Sequence, residues 1–203
     1  MILKRMMQMG VLLGLFAIIG TTILAITHEQ TKERIAENER NVLLRNLHAV
    51  ISPDTHDNEL FSDTIEVTDA KLLGSKKPIT VYRARLNKTP VAAVFAAIAP
   101  DGYNGDIKLL IAIKMDGSLL GVRVVGHRET PGLGDYIEVA RSDWITKFTG
   151  LSLNNPAKKS WHVKRDGGEF DQFTGATITP RAVVRAVYNS LVYFEQHQQD
   201  VFR

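Results

Sequence analysis

The N-terminal apolar run is the feature that most constrains this chain. Residues 6–27 carry no charge, and Gln8 is their only strongly polar side chain. A helix of about 22 residues reaches about 33 Å, while the hydrocarbon core of a bilayer is about 30 Å thick. A helix also satisfies its own backbone amides and carbonyls, which lipid cannot do. The run therefore predicts one membrane-spanning helix.

A cleaved signal peptide is the alternative interpretation of this run. Signal peptides have shorter apolar segments, of about 7–15 residues, followed by a small-residue cleavage site. Ala25-Ile26-Thr27 fits such a site poorly, so we expect an uncleaved anchor. Lys4 and Arg5 precede the span without an acidic residue, which favours a cytoplasmic N-terminus. Beyond the span acids and bases are mixed, so counting bases does not settle the orientation, but we expect the soluble part outside the cytoplasm.

Composition excludes several classes of function. A chain of 203 residues has room for one core-forming domain and an anchor. The net charge of +3, without a basic stripe interleaved with aromatic residues, argues against nucleic-acid binding. The chain has no cysteine, which excludes disulfides, thiolate metal sites and iron–sulfur ligation. Any redox chemistry therefore requires a cofactor that is held by other side chains.

Hydrophobic spacing predicts an α+β domain after the span. Apolar residues at helical spacing predict a juxtamembrane helix over 29–52. Apolar runs separated by turn residues then predict four antiparallel strands, at 79–86, 91–98, 107–115 and 119–125. A short helix is expected at 142–148, and a last helix should begin at Thr179-Pro180, with the Thr179 hydroxyl as its cap, and run to about residue 195. Strands followed by packing helices make up an α+β domain.

Three regions follow from these predictions. Residues 1–28 form a cytoplasmic tip and transmembrane anchor, residues 29–52 the juxtamembrane helix, and residues 53–203 the soluble domain.

A run of hydroxyl and small residues precedes the last helix. It reads Asp171-Gln172-Phe173-Thr174-Gly175-Ala176-Thr177. Free amides and the positive end of the helix dipole make such a helix start an anion site, and Gly175 and Ala176 permit close approach of a ligand. On these grounds alone, a capped helix that follows a glycine turn and binds no ligand is the simpler interpretation.

The loop at residues 127–134 is the second segment of interest. His127 and Glu129 stand at i and i+2 without a clear third ligand, so no metal site is predicted. The dinucleotide fingerprint and the P-loop pattern are both absent from the sequence. Trp144 and Trp161 are expected to be core residues rather than platforms on which a flavin stacks.

The two segments together resemble a known family. Residues 171–177 are similar to the motif at which a flavin transferase attaches FMN to threonine in the FMN-binding domain family. Upstream, Gly102-Tyr103, residues 129–134 and Trp144 follow in the order that this family shows. With a single N-terminal span, residues 1–197 resemble the G subunits of the Rnf (Rsx) ion-translocating electron transport complexes. The C subunits of the sodium-pumping NADH:quinone reductase are the nearest relatives in pattern.

This resemblance implies one covalent FMN per chain, joined by a phosphoester to Thr177. A separate, magnesium-dependent flavin transferase would attach it, using Asp171 and Gly175 as recognition signals. The other residues that the resemblance places near the cofactor are Thr174, Gly175, Ala176, Glu129, Thr130, Gly132 and Leu133. Among these, Thr130 is expected to hydrogen-bond the flavin.

The implied function is an electron relay between the other subunits of the complex, in the bacterial inner membrane with the soluble domain in the periplasm. The chain is then a redox subunit rather than an independent enzyme. Two alternatives remain open at this point. One is a scaffold subunit without a cofactor, and the other is a standalone reductase that uses the same bonded flavin.

Overall fold

A computed structural model describes residues 2–203, so Met1, the first residue of the predicted region 1–28, lies outside the described residues. Helix α1 (Ile2–His48) is 47 residues long. Its most apolar window has a mean hydropathy of 2.4, and by length and composition the helix is able to cross a membrane. The chain divides into two compact units, Met1–Arg45 and Asn46–Arg203.

Threonines within the apolar part of α1 satisfy their hydroxyl groups inside the helix. Thr21 donates to the carbonyl of Ala17 at 2.7 Å, and Thr22 donates to that of Ile18 at 2.7 Å. Such bonds to the preceding turn remove the need for a polar partner in lipid. Residues 29–48 continue α1 without a break, and the helix ends at His48 rather than at the predicted stop near residue 52.

A five-stranded antiparallel sheet forms the centre of the second unit, with its strands in sequence order. The strands are β1 (Thr64–Asp69), β2 (Ser75–Leu86), β3 (Thr89–Gly102), β4 (Gly105–Lys114) and β5 (Leu119–Gly126). The four predicted strands correspond to β2–β5, and β1 is an addition. The prediction missed β1 because this short edge strand is polar at every second position and has no fully buried residue.

Helix α2 (Ile178–Phe202) packs on the sheet through its apolar face. Phe95 of β3 makes edge-on ring contacts with Tyr193 at 6.0 Å and Phe194 at 6.1 Å. The N-cap of α2 is Thr177. The prediction that Thr179 caps the helix is therefore wrong, since Thr179 lies buried in the first turn. The helix also runs past residue 195, with a non-helical backbone at His197.

The segment between β5 and α2 contains short 3-10 helices around an aromatic cluster. The helix predicted at 142–148 is a 3-10 helix, Trp144–Phe148. Trp144 and Trp161 are buried, as the sequence predicted. The indole nitrogen of Trp144 donates to the backbone carbonyl of Asp171 at 2.9 Å, which fixes the start of the 171–177 motif on this core.

Candidate functional site

A cavity of about 390 Å³ lies where the β3–β4 turn, the loop after β5 and the start of α2 meet. This volume falls in the range of small-molecule sites, about 300–1,000 Å³. The residues that line it are Tyr103, Glu129, Thr130, Leu133, Gly134, Gly175, Ala176, Thr177, Ile178 and Thr179. The fold therefore brings the two segments singled out in the sequence to one place.

Most of the predicted site residues lie in this lining, and three do not. Those in the lining are Glu129, Thr130, Leu133, Gly175, Ala176 and Thr177. Gly132 and Thr174 occupy exposed positions in the same two loops, outside the lining. Asp171 lies apart from the cavity, in a surface ion cluster.

A tight turn presents the motif to the cavity. The amide of Ala176 donates to the carbonyl of Phe173 at 3.2 Å, which closes a turn around Thr174 and Gly175. Gly175 has φ +82°, a left-handed conformation that L side chains rarely adopt. A Cβ atom at Gly175 would lie 3.2 Å from Cδ2 of Leu133. Glycine therefore provides both the turn and the close contact with the loop after β5.

Thr177 begins α2 without using its side chain as a cap. A threonine N-cap usually accepts a hydrogen bond from an amide of the first turn, but the Thr177 hydroxyl makes no such bond. Within residues 2–203, the amides of Thr177, Ile178 and Thr179 also donate to no backbone carbonyl. Free amides at a helix start, beside an unused hydroxyl, form a site suited to an anionic group such as a phosphate.

Glu129 links two elements of the cavity by hydrogen bonds. Its side chain is only 4% exposed. Its carboxylate accepts hydrogen bonds from the amide of Asn104 at 2.9 Å, from the amide of Tyr103 at 3.3 Å and from the hydroxyl of Thr179. These donors come from the β3–β4 turn and from the first turn of α2. Glu129 therefore fixes both elements relative to its own loop.

Glycine at two positions allows Glu129 to reach these partners. A Cβ atom at Gly102 would lie 2.2 Å from the carbonyl oxygen of Gly105 and 3.1 Å from Oε1 of Glu129. A Cβ atom at Gly134 would lie 2.9 Å from Cβ of Glu129. Side chains at these positions would force the carboxylate and its partners apart.

Polar groups next to Glu129 in the loop after β5 also form hydrogen bonds within the protein. The Thr130 hydroxyl accepts a hydrogen bond from the side-chain amide of Asn104 at 3.3 Å. Nδ1 of His127 accepts from the amide of Glu129 at 3.0 Å, so Nε2 carries the proton and donates to Glu138 at 2.6 Å. Residues 2–203 contain no group of three or more His, Cys, Asp or Glu side chains placed to hold a metal ion.

Asp171 faces solvent between two lysines. Lys164 Nζ lies 2.6 Å from one carboxylate oxygen and Lys147 Nζ lies 3.4 Å from the other. The hydrogen bond from Lys164 is the largest cause that holds the pKa of this carboxyl below its ordinary value, and the charge of both lysines adds to it.

Four residues of the lining were not among the predicted site residues: Tyr103, Gly134, Ile178 and Thr179. The sequence does contain a signal that Tyr103 belongs to a site. A large aromatic residue in a turn bounded by Gly102 and Gly105 has no core to pack into. The sequence contains no such signal for Thr179, because capping explains equally well a threonine before a proline at a helix start.

Comparison with known proteins adds two family matches. The FMN-binding domain family matches residues 102–192, and the RnfG N-terminal region family matches residues 1–50. Three similar proteins are each named as the G subunit of an ion-translocating oxidoreductase complex. The protein from Shewanella piezotolerans is 48% identical over 196 residues, which are 97% of this chain and 92% of the relative. The protein from Pseudomonas aeruginosa is 47% identical with the same coverage, and that from Vibrio atlanticus is 46% identical over 97% of this chain and 94% of its own.

Proposed function

Because the chain belongs to the family of G subunits of ion-translocating oxidoreductase complexes and contains an FMN-binding domain, we propose that it carries one FMN bonded through its phosphate to the hydroxyl of Thr177. A G subunit with such a domain is an electron-transfer subunit, and its partners are the other subunits of the complex.

The unused hydroxyl of Thr177 is the observation that carries the proposal. It lies on the wall of the cavity, at a helix start whose amides have no backbone partner among the described residues. An ester at this oxygen places a phosphate next to those amides, where the helix dipole favours negative charge. A threonine that does not cap the helix lacks a hydrogen bond that would stabilise the fold by about 1 kcal/mol. A role of this hydroxyl in attachment explains why the bond is absent.

FAD is the donor of FMN in the proposed attachment step. The Thr177 oxygen forms a bond to the phosphorus on the FMN half of FAD, and the bond from that phosphorus to the bridging oxygen breaks. AMP leaves with the bridging oxygen, and the hydroxyl proton is released to a base of the transferase or to solvent. No electron is transferred in this step.

The remaining lining residues would hold the flavin. When bound, FMN supplies the reversible electron chemistry of the subunit. The Thr130 hydroxyl and the free amides of the α2 start offer polar contacts, and Leu133 and Ile178 offer apolar ones. Gly132 and Thr174, which the resemblance also places near the cofactor, lie in the same two loops.

The exposed side of the motif suits recognition by a modifying enzyme. Asp171 has a side chain 47% exposed, and Thr174 and Gly175 are also exposed. We propose that the flavin transferase reads Asp171 and Gly175 there. We further propose that α1 anchors the chain in the bacterial inner membrane, with Lys4 and Arg5 on the cytoplasmic side and residues 53–203 in the periplasm.

Substitution of single hydroxyls tests this function. The full chain is produced together with a flavin transferase, denatured in SDS and examined for flavin fluorescence in the gel. Thr177→Ala should remove the fluorescent band and Thr177→Ser should retain at least part of it, whereas Thr174→Ala, on the same turn, should leave it in place. A flavin-bearing peptide that maps to Thr174 or Thr179 would contradict the assignment, and a wild-type chain without fluorescence after denaturation would overturn the covalent linkage.

A further inference from the structure

Tyr103 is the one tyrosine whose ring has no aromatic partner in the described chain. The sequence contains five tyrosines. The other four pack against Phe61, Phe173, Trp161 and Phe95. Tyr103 is 65% exposed and is one of the residues that line the cavity.

The turn that carries Tyr103 is built rigidly. Gly102 and Gly105 pair directly across the end of β3 and β4, so Tyr103 and Asn104 form a two-residue turn. Gly105 has φ +109°, and any side chain at Gly102 would collide with the carbonyl oxygen of Gly105. Both amides of the turn donate to the buried carboxylate of Glu129. An ordinary hairpin turn on the surface needs no buried acid to hold it.

The cavity lining therefore combines one aromatic residue with aliphatic residues from two other elements. Leu133 comes from the loop after β5 and is 42% exposed, and Ile178 comes from the start of α2 and is 43% exposed. Leu133 lies beside the motif turn, so close that a Cβ atom at Gly175 would be 3.2 Å from its Cδ2. An exposed aromatic ring with aliphatic groups around one cavity suits a flat, fused-ring ligand whose faces are apolar.

We infer that Tyr103 is the residue on which the flavin ring stacks, and that Glu129 is a positioning residue that holds the Tyr103 turn in place. This inference rests on the proposed attachment of FMN at Thr177 and adds the contact that fixes the other end of the cofactor. The oxygens of Glu129 already accept three hydrogen bonds from the protein. Glu129 therefore acts through the turn rather than as a ligand of the flavin.

Fluorescence of the attached flavin tests the contact without any turnover. An electron-rich phenol stacked on a flavin quenches its emission and shields one face of the ring from solvent. In the folded, flavinylated full chain, Tyr103→Leu should raise emission several-fold and make it more sensitive to iodide, whereas Tyr103→Trp should remain quenched. The emission of each sample after denaturation gives its content of attached flavin and normalises the comparison.

A matched pair separates Tyr103 from a nearby tyrosine. Tyr136 is also partly exposed but does not line the cavity. Tyr103→Phe should raise the emission because the phenol is lost, and Tyr136→Phe should leave it unchanged. Glu129→Gln should raise emission in the same direction as Tyr103→Leu, and the double variant should show no further rise.

The outcomes distinguish this inference from the proposed function. If Tyr103→Leu carries attached flavin with the emission and iodide sensitivity of the wild type, the stacking role is wrong, while attachment at Thr177 still stands. If the wild-type chain carries no flavin after denaturation, both are overturned.

Discussion

At the scale of single residues, the cavity depends on one buried acid. A carboxylate removed from water costs several kcal/mol unless hydrogen bonds compensate it. Glu129 has two amides of the β3–β4 turn and the Thr179 hydroxyl as donors, so these hydrogen bonds compensate its burial. The Thr179 hydroxyl donates to Glu129, and Thr179 does not cap α2 because it lies inside the first turn, after the N-cap residue Thr177.

Removing that hydroxyl gives the first prediction. Thr179→Val keeps the shape of the side chain but takes one donor from the buried carboxylate, so it should lower the free energy of unfolding by about 1–3 kcal/mol. Thr174→Val, at an exposed position of the neighbouring turn, should change it by less than about 0.5 kcal/mol. Chemical denaturation of the detergent-solubilised full chain measures both. Equal effects would show that the Thr179–Glu129 bond contributes nothing.

The Asp171 ion cluster gives a prediction on pH. Its pKa is lowered in the folded chain, so its contribution to stability is present above the ordinary value of 3.8 and is lost as pH falls through the lower folded value. The side chain is 47% exposed, so solvent screening limits this contribution to about 1 kcal/mol or less. Asp171→Asn should therefore be slightly less stable than wild type at pH 7 and equal to it near pH 2 in denaturation curves. A difference that persists at low pH would exclude the ion pairs as its cause.

At this scale, a local motif is enough to predict which segments form the site, but the role of a residue whose partner is distant in sequence is not predictable. The 171–177 and 127–134 segments were both singled out, and the fold brings both to the cavity. The role of Thr179 depends on Glu129, fifty residues earlier. No local pattern reveals that pairing, so the sequence predicts a helix cap at Thr179, and this prediction is wrong.

At the scale of elements, apolar runs separated by turn residues predict the central strands because these strands are buried. β3 and β4 have long buried runs, and their turn residues are explicit in the sequence. β1 lies at the edge of the sheet and is only half-buried, so its pattern is weak. The segment from 127 to 177 was hard to predict for another reason: its 3-10 turns are held by packing among aromatic side chains rather than by local propensity.

The β2–β3 turn gives a prediction about an element. Asn87 and Lys88 have φ of 51° and 65°, the left-handed pair of a two-residue hairpin turn that favours Asn-Gly. Lys88→Gly should therefore stabilise the chain by about 0.5–1 kcal/mol.

Lys76→Gly is the matched control for this turn. Lys76 is exposed within β2, where glycine only adds freedom to the unfolded chain, and the change should destabilise by about 0.5–1 kcal/mol. Urea denaturation compares the two variants. Destabilisation by both would show that the turn does not strain Lys88.

At the scale of the whole molecule, the chain combines an apolar helix with an FMN-binding domain, and each was recognisable from sequence. The family and the α+β fold predicted from the sequence are confirmed. The anchor follows from length and hydropathy alone, which is why it was the simplest part to predict. The orientation of this helix in a membrane is predicted from the charges that flank it. Only the charges ahead of the span, Lys4 and Arg5, are of one sign.

The absence of cysteine makes the orientation directly testable. Single cysteines are introduced as Lys159→Cys in the second unit and Lys4→Cys ahead of the span. In spheroplasts of a bacterial host, a membrane-impermeant maleimide should label the first variant and should label the second only after the membrane is permeabilised. The reverse pattern would place the FMN-binding domain in the cytoplasm.

The central claim is a phosphoester between FMN and the Thr177 oxygen. Its most direct test is the intact mass of the full chain produced with and without a flavin transferase, followed by peptide mapping. We predict that the chain made with the transferase is heavier by one FMN less one water and that the added mass maps to Thr177. A chain that keeps its bare polypeptide mass beside an active transferase, or carries the flavin at another residue, would contradict the account.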